Sequence, residues 1–270
     1  LKDKNIYNYD NFDTIANNPD IDVVYIVLPP FMHREFTVRA AAAGKHVWCE
    51  KPMAITTEDC NNMIAAAETN KKQLFIVKQN RFNPPVAVVK ALLEKNTLGK
   101  IYSVQLNCFW NRNDDYYKNS WKGTMQMDGG TLFTQFSHFI DLLYWIFGDI
   151  KILSATTVNM AHKGVIEFED TAVVTVQLNN GAPGSIHCTI NSHKKNMEGS
   201  LTVFGEKGTV KIGGEYLNEL EYQSIEDYTI ENLPAGNRAN EYGTYTGSMS
   251  NHDKAYNQVV EALQSTANIA

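Results

Sequence analysis

The sequence predicts an α/β protein in two parts, a parallel sheet threaded by helices followed by a larger, mainly antiparallel sheet. Three observations carry this. Over the first 80 or so residues strands alternate with helices, and the strands are apolar runs, the pattern of a sheet buried on both faces. Beyond Gly99 the strands alternate polar with apolar residues and are joined by Gly, Asn and Lys-Gly turns, as antiparallel strands are. The 270 residues are 43% hydrophobic and 20% charged, which excludes a disordered chain, a collagen-like repeat and a disulfide-stapled miniprotein.

Taken in order, residues 11–18 read as a short helix with Asp13 early in it. Residues 22–28 form an apolar strand that Pro29-Pro30 ends. Residues 33–43 are Ala-rich and helical, and Gly44 suits the C-terminal cap. A short strand at 46–49 leads to a helix over 57–69, with Glu58 and Asp59 in the first turn where the helix dipole favours acids. A third strand covers 73–77, and the crossovers are right-handed by topology. A helix over 85–95 leads to a boundary at Gly99. Residues 101–110 alternate like a half-exposed strand, and a polar aromatic loop follows. One long helix is expected from about 130 to 146, then strands at 150–158, 171–178, 184–190, 200–203, 208–212 and 219–222. An amphipathic helix over 251–264 carries Val259, Val260 and Leu263 on one stripe. The expected domains are 1–98, 99–250 and a terminal helical segment, 251–270, packing back toward the first domain.

Charge and cysteine usage narrow the class. With 24 Lys+Arg against 30 Asp+Glu the net charge is −6, which argues against non-specific nucleic-acid binding. No apolar run reaches the roughly 18 residues of a membrane span, and the polar opening at residues 1–5 shows no signal peptide. Cys49, Cys60, Cys108 and Cys188 form no C-x-x-C pair, and no His lies at zinc-finger spacing. They read as thiols of a reducing, cytoplasmic compartment, with no metal site expected.

Three places carry candidate chemistry. Leu28-Pro29-Pro30-Phe31-Met32-His33 follows a parallel strand at its carboxyl end, where open α/β sheets bind ligands. The alternative is an ordinary strand-to-helix loop. Glu50-Lys51-Pro52 follows the next strand, where partial burial makes a lysine a usable acid or base. The alternative is a surface Glu-Lys pair. The third place runs from Asp128 to Asp141, with Gly129-Gly130 at a helix start and Thr134 and His138 four residues apart on one face. Asp141 lies three beyond His138 and is the expected partner that orients it. The alternative is a core histidine in an aromatic-rich helix.

Together these motifs resemble the Gfo/Idh/MocA family of NAD(P)-dependent oxidoreductases, and the resemblance extends to the turn Phe204-Gly205-Glu206-Lys207-Gly208-Thr209. It implies a Rossmann-type parallel sheet domain, here with its N-terminal part missing. A C-terminal α/β domain with a large, mainly antiparallel open sheet would follow, used for contacts in a homo-oligomer, a dimer or tetramer. It implies that Lys51 and His138 are catalytic. Leu28, Pro29, Pro30, His33, Glu50, Lys51, Pro52, Asn80, Arg81 and Trp121 would then border the cofactor, NAD or NADP. Two departures stand out: Thr134 where many members carry aspartate, and Phe136 where many carry glycine. Thr134 cannot carry charge, so Lys51 and His138 must do more of the work.

The segments 109–117 and 120–124 are similar to the branch that oxidises the 3-hydroxyl of nucleotide-linked N-acetylated sugars. That likeness implies a substrate side made of Lys51, Asn111, Arg112, Tyr116, Trp121, Lys122, Thr134, Gln135 and His138. Arg112 and Lys122 would meet a diphosphate or carboxylate, and the aromatics would stack on a ring. These residues equally suit a subunit interface. The other activities weighed are oxidation of a free sugar or inositol, NAD-dependent glycoside hydrolysis, and a non-enzymatic sugar-binding or regulatory role. No G-x-G-x-x-G occurs, so the residue that would separate NAD from NADP is not in the sequence.

Overall fold

A computed structural model describes residues 11–243 and 245–265; the polar opening at residues 1–5 lies outside them. The chain divides into two compact units, Leu1–Val77 with Gln126–Asp128, and Lys78–Met125 with Gly129–Ala270.

The first unit carries α1 (Phe12–Ala16), β1 (Val23–Ile26), α2 (Pro30–Ala42), β2 (His46–Cys49), α3 (Thr57–Thr69) and β3 (Leu74–Ile76). The strands form a parallel sheet in the order β1-β2-β3, with Val24 beside Val47 and Val47 beside Leu74. Val24, Ile26, Val47 and Cys49 bury against Phe36, Ala40 and Met63 of α2 and α3. α2 begins at Pro30, three residues earlier than expected. Pro30 therefore starts the helix rather than prolonging an extended turn, because a proline suits the first helical position, where its missing N–H is not needed. At the start of α3 the Thr56 hydroxyl accepts from the backbone N–H of Asp59 at 3.0 Å.

The second unit opens with a 3₁₀ turn, Gln79–Phe82, and α4 (Pro84–Glu94). β4 (Ile101–Phe109), α5 (Asp114–Tyr117), α6 (Thr131–Thr134) and α7 (Ser137–Phe147) follow. The remaining elements are β5 (Ile150–Val158), β6 (Thr171–Leu178), β7 (Pro183–Thr189), β8 (Glu198–Gly205), β9 (Gly208–Gly213), β10 (Glu219–Ile225), β11 (Ala239–Glu241), β12 (Thr246–Met249) and α8 (His252–Gln264). Seven strands form one sheet in the order β10-β9-β8-β4-β7-β6-β5. Only β4 and β7 pair in parallel, so the sheet is mainly antiparallel, as expected. One face, with Val104, Leu106, Cys108, Val174, Ile186 and Val203, belongs to a core shared with Val89 and Leu92 of α4 and Phe139, Leu142 and Leu143 of α7. The opposite face is mostly polar. Its register sets Gln105 beside Ser185, Ser185 beside Thr175, and Thr175 beside Ser154. The β11–β12 pair was not foreseen; its strands are three and four residues long, too short for a period to show.

The structure departs from the expected outline in three further ways. The units divide after Val77 rather than at residue 98, because α4 puts Val86, Val89 and Leu92 into the second core. α8 lies in the second unit, where the Asn251 amide donates to Asn83 Oδ1 (2.7 Å) and Lys254 to the Phe82 carbonyl (3.3 Å). The long helix at 130–146 is two helices, α6 and α7, broken at Gln135 and Phe136. At the break the Phe136 N–H bonds to the Thr131 carbonyl (3.1 Å), one residue further back than an α-helix allows. Phe136 is fully buried beside Trp110, and the Thr134 hydroxyl bonds back to the Gly130 carbonyl at 3.0 Å.

Candidate active site

In the first unit the two candidate turns stand at the carboxyl ends of β1 and β2. Adjacent parallel strands bring Leu28-Pro29-Pro30 and Glu50-Lys51-Pro52 to the same end of the sheet. Glu50 is anchored through its backbone N–H to the Ile26 carbonyl (3.0 Å), and its carboxylate accepts from the Tyr25 hydroxyl and from the Lys51 N–H (3.3 Å). Tyr25 stacks on Trp48, with centroids 4.0 Å apart at 16°. Lys51 is half-buried and Pro52 buried, with a cis bond between them. Glu50 thus braces the turn that carries Lys51.

His33 takes a different place from the one expected. Its ring is fully buried, with Nε2 2.7 Å from the Leu28 carbonyl and Nδ1 2.9 Å from the Pro52 carbonyl. Both nitrogens are engaged inside the protein, so His33 stands behind the two turns.

In the second unit, directly after β3 in the chain, Asn80 is 2% exposed. Neither end of its amide has a hydrogen-bond partner among the described residues, and the same holds for Gln79 Oε1. Buried amides are almost always satisfied, so this pair fits a polar group such as a carboxamide, as a nicotinamide-bearing cofactor would bring. Arg81 behaves otherwise. Its Nε and Nη2 donate to the Asp141 carboxylate at 2.8 and 2.7 Å, with Lys78 3.7 Å from the same group. Asp141, expected to orient His138, is committed to these two cations instead.

His138 is the second residue of α7 and is buried. Because the helix breaks before it, Thr134 and His138 do not lie four apart on one continuous helix. Thr134 is buried as well. Gln135, at the break, accepts from Arg112 Nε (3.0 Å) and donates to the Tyr116 hydroxyl (2.7 Å).

Arg112, expected to meet a diphosphate, sits inside the fold and is 2% exposed. Its Nη1 donates to the Asn111 carbonyl (2.6 Å) and to Asn196 Oδ1 (3.2 Å). Its guanidinium carbon lies 5.1, 5.3 and 4.9 Å from the ring centroids of Trp110, Tyr116 and Tyr245. The cation is used internally, to hold Gln135 and the aromatics. Lys122 lies over Tyr116 of α5 and over Trp121, at 4.7 and 5.1 Å. The Asn111 amide donates to the Ser192 carbonyl at 2.5 Å. A cleft of about 480 Å³ opens beside Asn111, Lys118, His162, Asn191 and Lys194, beyond the carboxyl ends of β4, β5 and β7.

Sequence reasoning missed the bracing around this cleft. His162 puts Nε2 2.7 Å from the Arg112 carbonyl and Nδ1 3.2 Å from Asp170. Burial works to raise the Asp170 carboxyl, but bonds from the Ala161 and Met160 N–H groups, His162 and Asn191 outweigh it and hold the group below its ordinary value. Glu169 accepts from the Leu132 N–H at the start of α6 (2.9 Å), and its own carbonyl accepts from Thr131 (2.6 Å). These partners lie 8 to 50 residues apart and carry no local sequence signal.

Parallel strand–helix units with the candidate turns at their carboxyl ends, joined in one chain to a large mixed sheet, define a two-domain α/β protein of the dinucleotide-linked class. The chain belongs to the Gfo/Idh/MocA oxidoreductase family. The family's NAD-binding Rossmann-fold model matches residues 2–78, and its C-terminal domain model residues 86–211. Among solved structures, the WlbA dehydrogenase from Bordetella pertussis, in complex with NADH and UDP-GlcNAcA, is 37% identical with a TM-score of 0.77, over 80% of this chain and 62% of that one. Levoglucosan dehydrogenase in complex with NADH and levoglucosan is 27% identical with a TM-score of 0.73, over 80% of this chain and 60% of that one. Trans-1,2-dihydrobenzene-1,2-diol dehydrogenase from Bos taurus is 27% identical over 206 residues, 76% of this chain and 58% of that protein. The chain thus spans about three fifths of the length of these relatives. Among the described residues no helix is long and apolar enough to cross a membrane, and no group of three or more His, Cys, Asp or Glu could hold a metal ion.

Proposed function

We propose that the chain is part of an NAD-dependent dehydrogenase that oxidises a ring hydroxyl of a sugar, namely the 3-hydroxyl of a nucleotide-linked N-acetylated sugar. The observation that carries the reading is Lys51, half-buried at the carboxyl end of β2 on a turn braced by Glu50 and Pro52. Lys51 contacts the reacting oxygen, and His138 takes the hydroxyl proton or orients the group that does. Bound cofactor supplies the acceptor for the hydride leaving the ring carbon. Asn80, with its open amide, holds the polar end of that cofactor, and Leu28 to Pro30 border it. The sugar-nucleotide assignment draws support from the WlbA structure. Levoglucosan dehydrogenase favours a second reading, oxidation of a free sugar. The four cysteines are not joined in disulfides, which suits the cytoplasm, and the polar face of the seven-stranded sheet is where a second copy would pack.

The test is Lys51→Ala with UDP-linked N-acetylated sugars and free sugars as substrates. Turnover is expected to fall by orders of magnitude while NADH binding, read by fluorescence, is retained. Near-normal turnover overturns the role of Lys51. Formation of NADH with a keto-sugar supports the dehydrogenase, whereas release of an aglycone without NADH supports glycoside hydrolysis.

A further inference from the structure

We propose that His33 is a positioning residue that locks the Lys51 turn to the end of β1, each of its two ring nitrogens lying within hydrogen-bond distance of a backbone carbonyl at one of the two strand ends. The two acceptors, the Leu28 and Pro52 carbonyls, belong to neighbouring strand ends 24 residues apart in the chain, at 2.7 and 2.9 Å from the ring. The ring is fully buried, and a hydrogen bond left unmade there is costly. His33 is the fourth residue of α2, a helix packed on α3, so the clamp is mounted on a rigid element. The charged groups on the surrounding elements are Glu50 and Lys51 in the turn, Arg34, Glu35 and Arg39 on α2, and Glu58, Asp59 and Glu68 on α3, with Arg34 and Asp59 paired at 3.0 Å.

Pro52 follows Lys51 directly, so whatever fixes the Pro52 carbonyl fixes the backbone from which Lys51 projects. Leu28 precedes the Pro-Pro turn in the same way. One buried ring thereby couples the two turns. That Lys51 acts in the reaction rests on the reading above; the clamp does not require it.

The test uses two one-sided mimics and one blank. The amide nitrogen of asparagine stands near the place of Nδ1, and that of glutamine near Nε2. His33→Asn therefore keeps the Pro52 bond, His33→Gln keeps the Leu28 bond, and His33→Leu keeps neither. Amide hydrogen exchange read by mass spectrometry is expected to quicken around residues 50–54 in the Gln variant, around 27–31 in the Asn variant, and in both segments in the Leu variant. In the Gln variant kcat should fall about tenfold or more while KM for the cofactor changes far less, and the Asn variant should show the reverse split. Unchanged exchange in both segments, or equal effects of Asn and Gln, overturns the clamp. The expected exchange pattern with normal kcat in every variant upholds the clamp and removes Lys51 from the chemistry. If the Leu variant does not fold, the two mimics still decide.

Discussion

Replacing Arg112 separates two uses of a buried cation. If the guanidinium braces the fold, Arg112→Met loses its bonds to Gln135, Asn111 and Asn196 and its three ring contacts at once, while the methionine refills much of the stem volume. Asn196 Oδ1 also accepts from the Asn111 N–H at 2.9 Å, so two acceptors, Gln135 Oε1 and the Asn111 carbonyl, are the ones exposed to loss. At roughly 1–3 kcal/mol for each acceptor left unsatisfied, and about 0.5–2 kcal/mol for the desolvated cation–ring contacts, the cost is about 2.5–8 kcal/mol. For a chain of this size that lowers Tm by about 5 °C or more. Urea denaturation and calorimetry read it directly. Arg112→Lys should fall between, because an ammonium keeps the charge but not the fork that reaches Gln135 and Asn111 together. Loss of Gln135's tether should also weaken its bond to Tyr116 and so reduce turnover. Stability unchanged within about 0.5 kcal/mol, together with weakened substrate binding, would refute the bracing argument and return Arg112 to the ligand.

Burial pushes the Cys49, Cys108 and Cys188 thiols up, whereas Cys60 is only partly covered. A thiol reagent should therefore titrate one cysteine in the folded protein and four after denaturation, and rapid modification of two or more without unfolding would contradict this. Asp170 is held below its ordinary value by hydrogen bonds, so its contribution to stability is full above about pH 4 and disappears as pH falls through the folded value. The stability gap between the native protein and Asp170→Asn, read from urea midpoints, should be widest near neutrality and close toward pH 3. A gap independent of pH would refute the charge argument.

What the sequence made legible follows from the range of the interactions. β1 to β3 and their helices were readable because buried parallel strands are uninterrupted apolar runs and helix starts carry local marks such as Glu58 and Asp59. The turns that bear Lys51 and Leu28 fell at strand ends for the same reason. The division after Val77 was not legible, because α4 is an ordinary apolar helix whose partners lie beyond residue 98. Nor was the break before His138. Residues 130–146 look continuous, and the interruption falls where Phe136 is buried beside Trp110, 26 residues away. Asp141 was assigned to His138 by spacing alone, whereas Arg81, 60 residues upstream, offers it a bidentate bond. Arg112 looked like a ligand contact because nothing local announces Tyr245 or Asn196.

The outer face of the seven-stranded sheet has one more implication. The row Gln105, Ser185, Thr175 and Ser154 ends in a hydroxyl pair, Ser154 with Thr175 at 2.6 Å, and on the same face His187, opposite Asn107, makes a diagonal ring contact with Phe109, with centroids 4.9 Å apart. Hydroxyls and amides exchange bonds to water for bonds to another polar surface at little net gain. Whatever settles on this face must take its strength from the few apolar side chains set among them, such as Val173 and Phe204. An assembly built that way is expected to come apart on dilution.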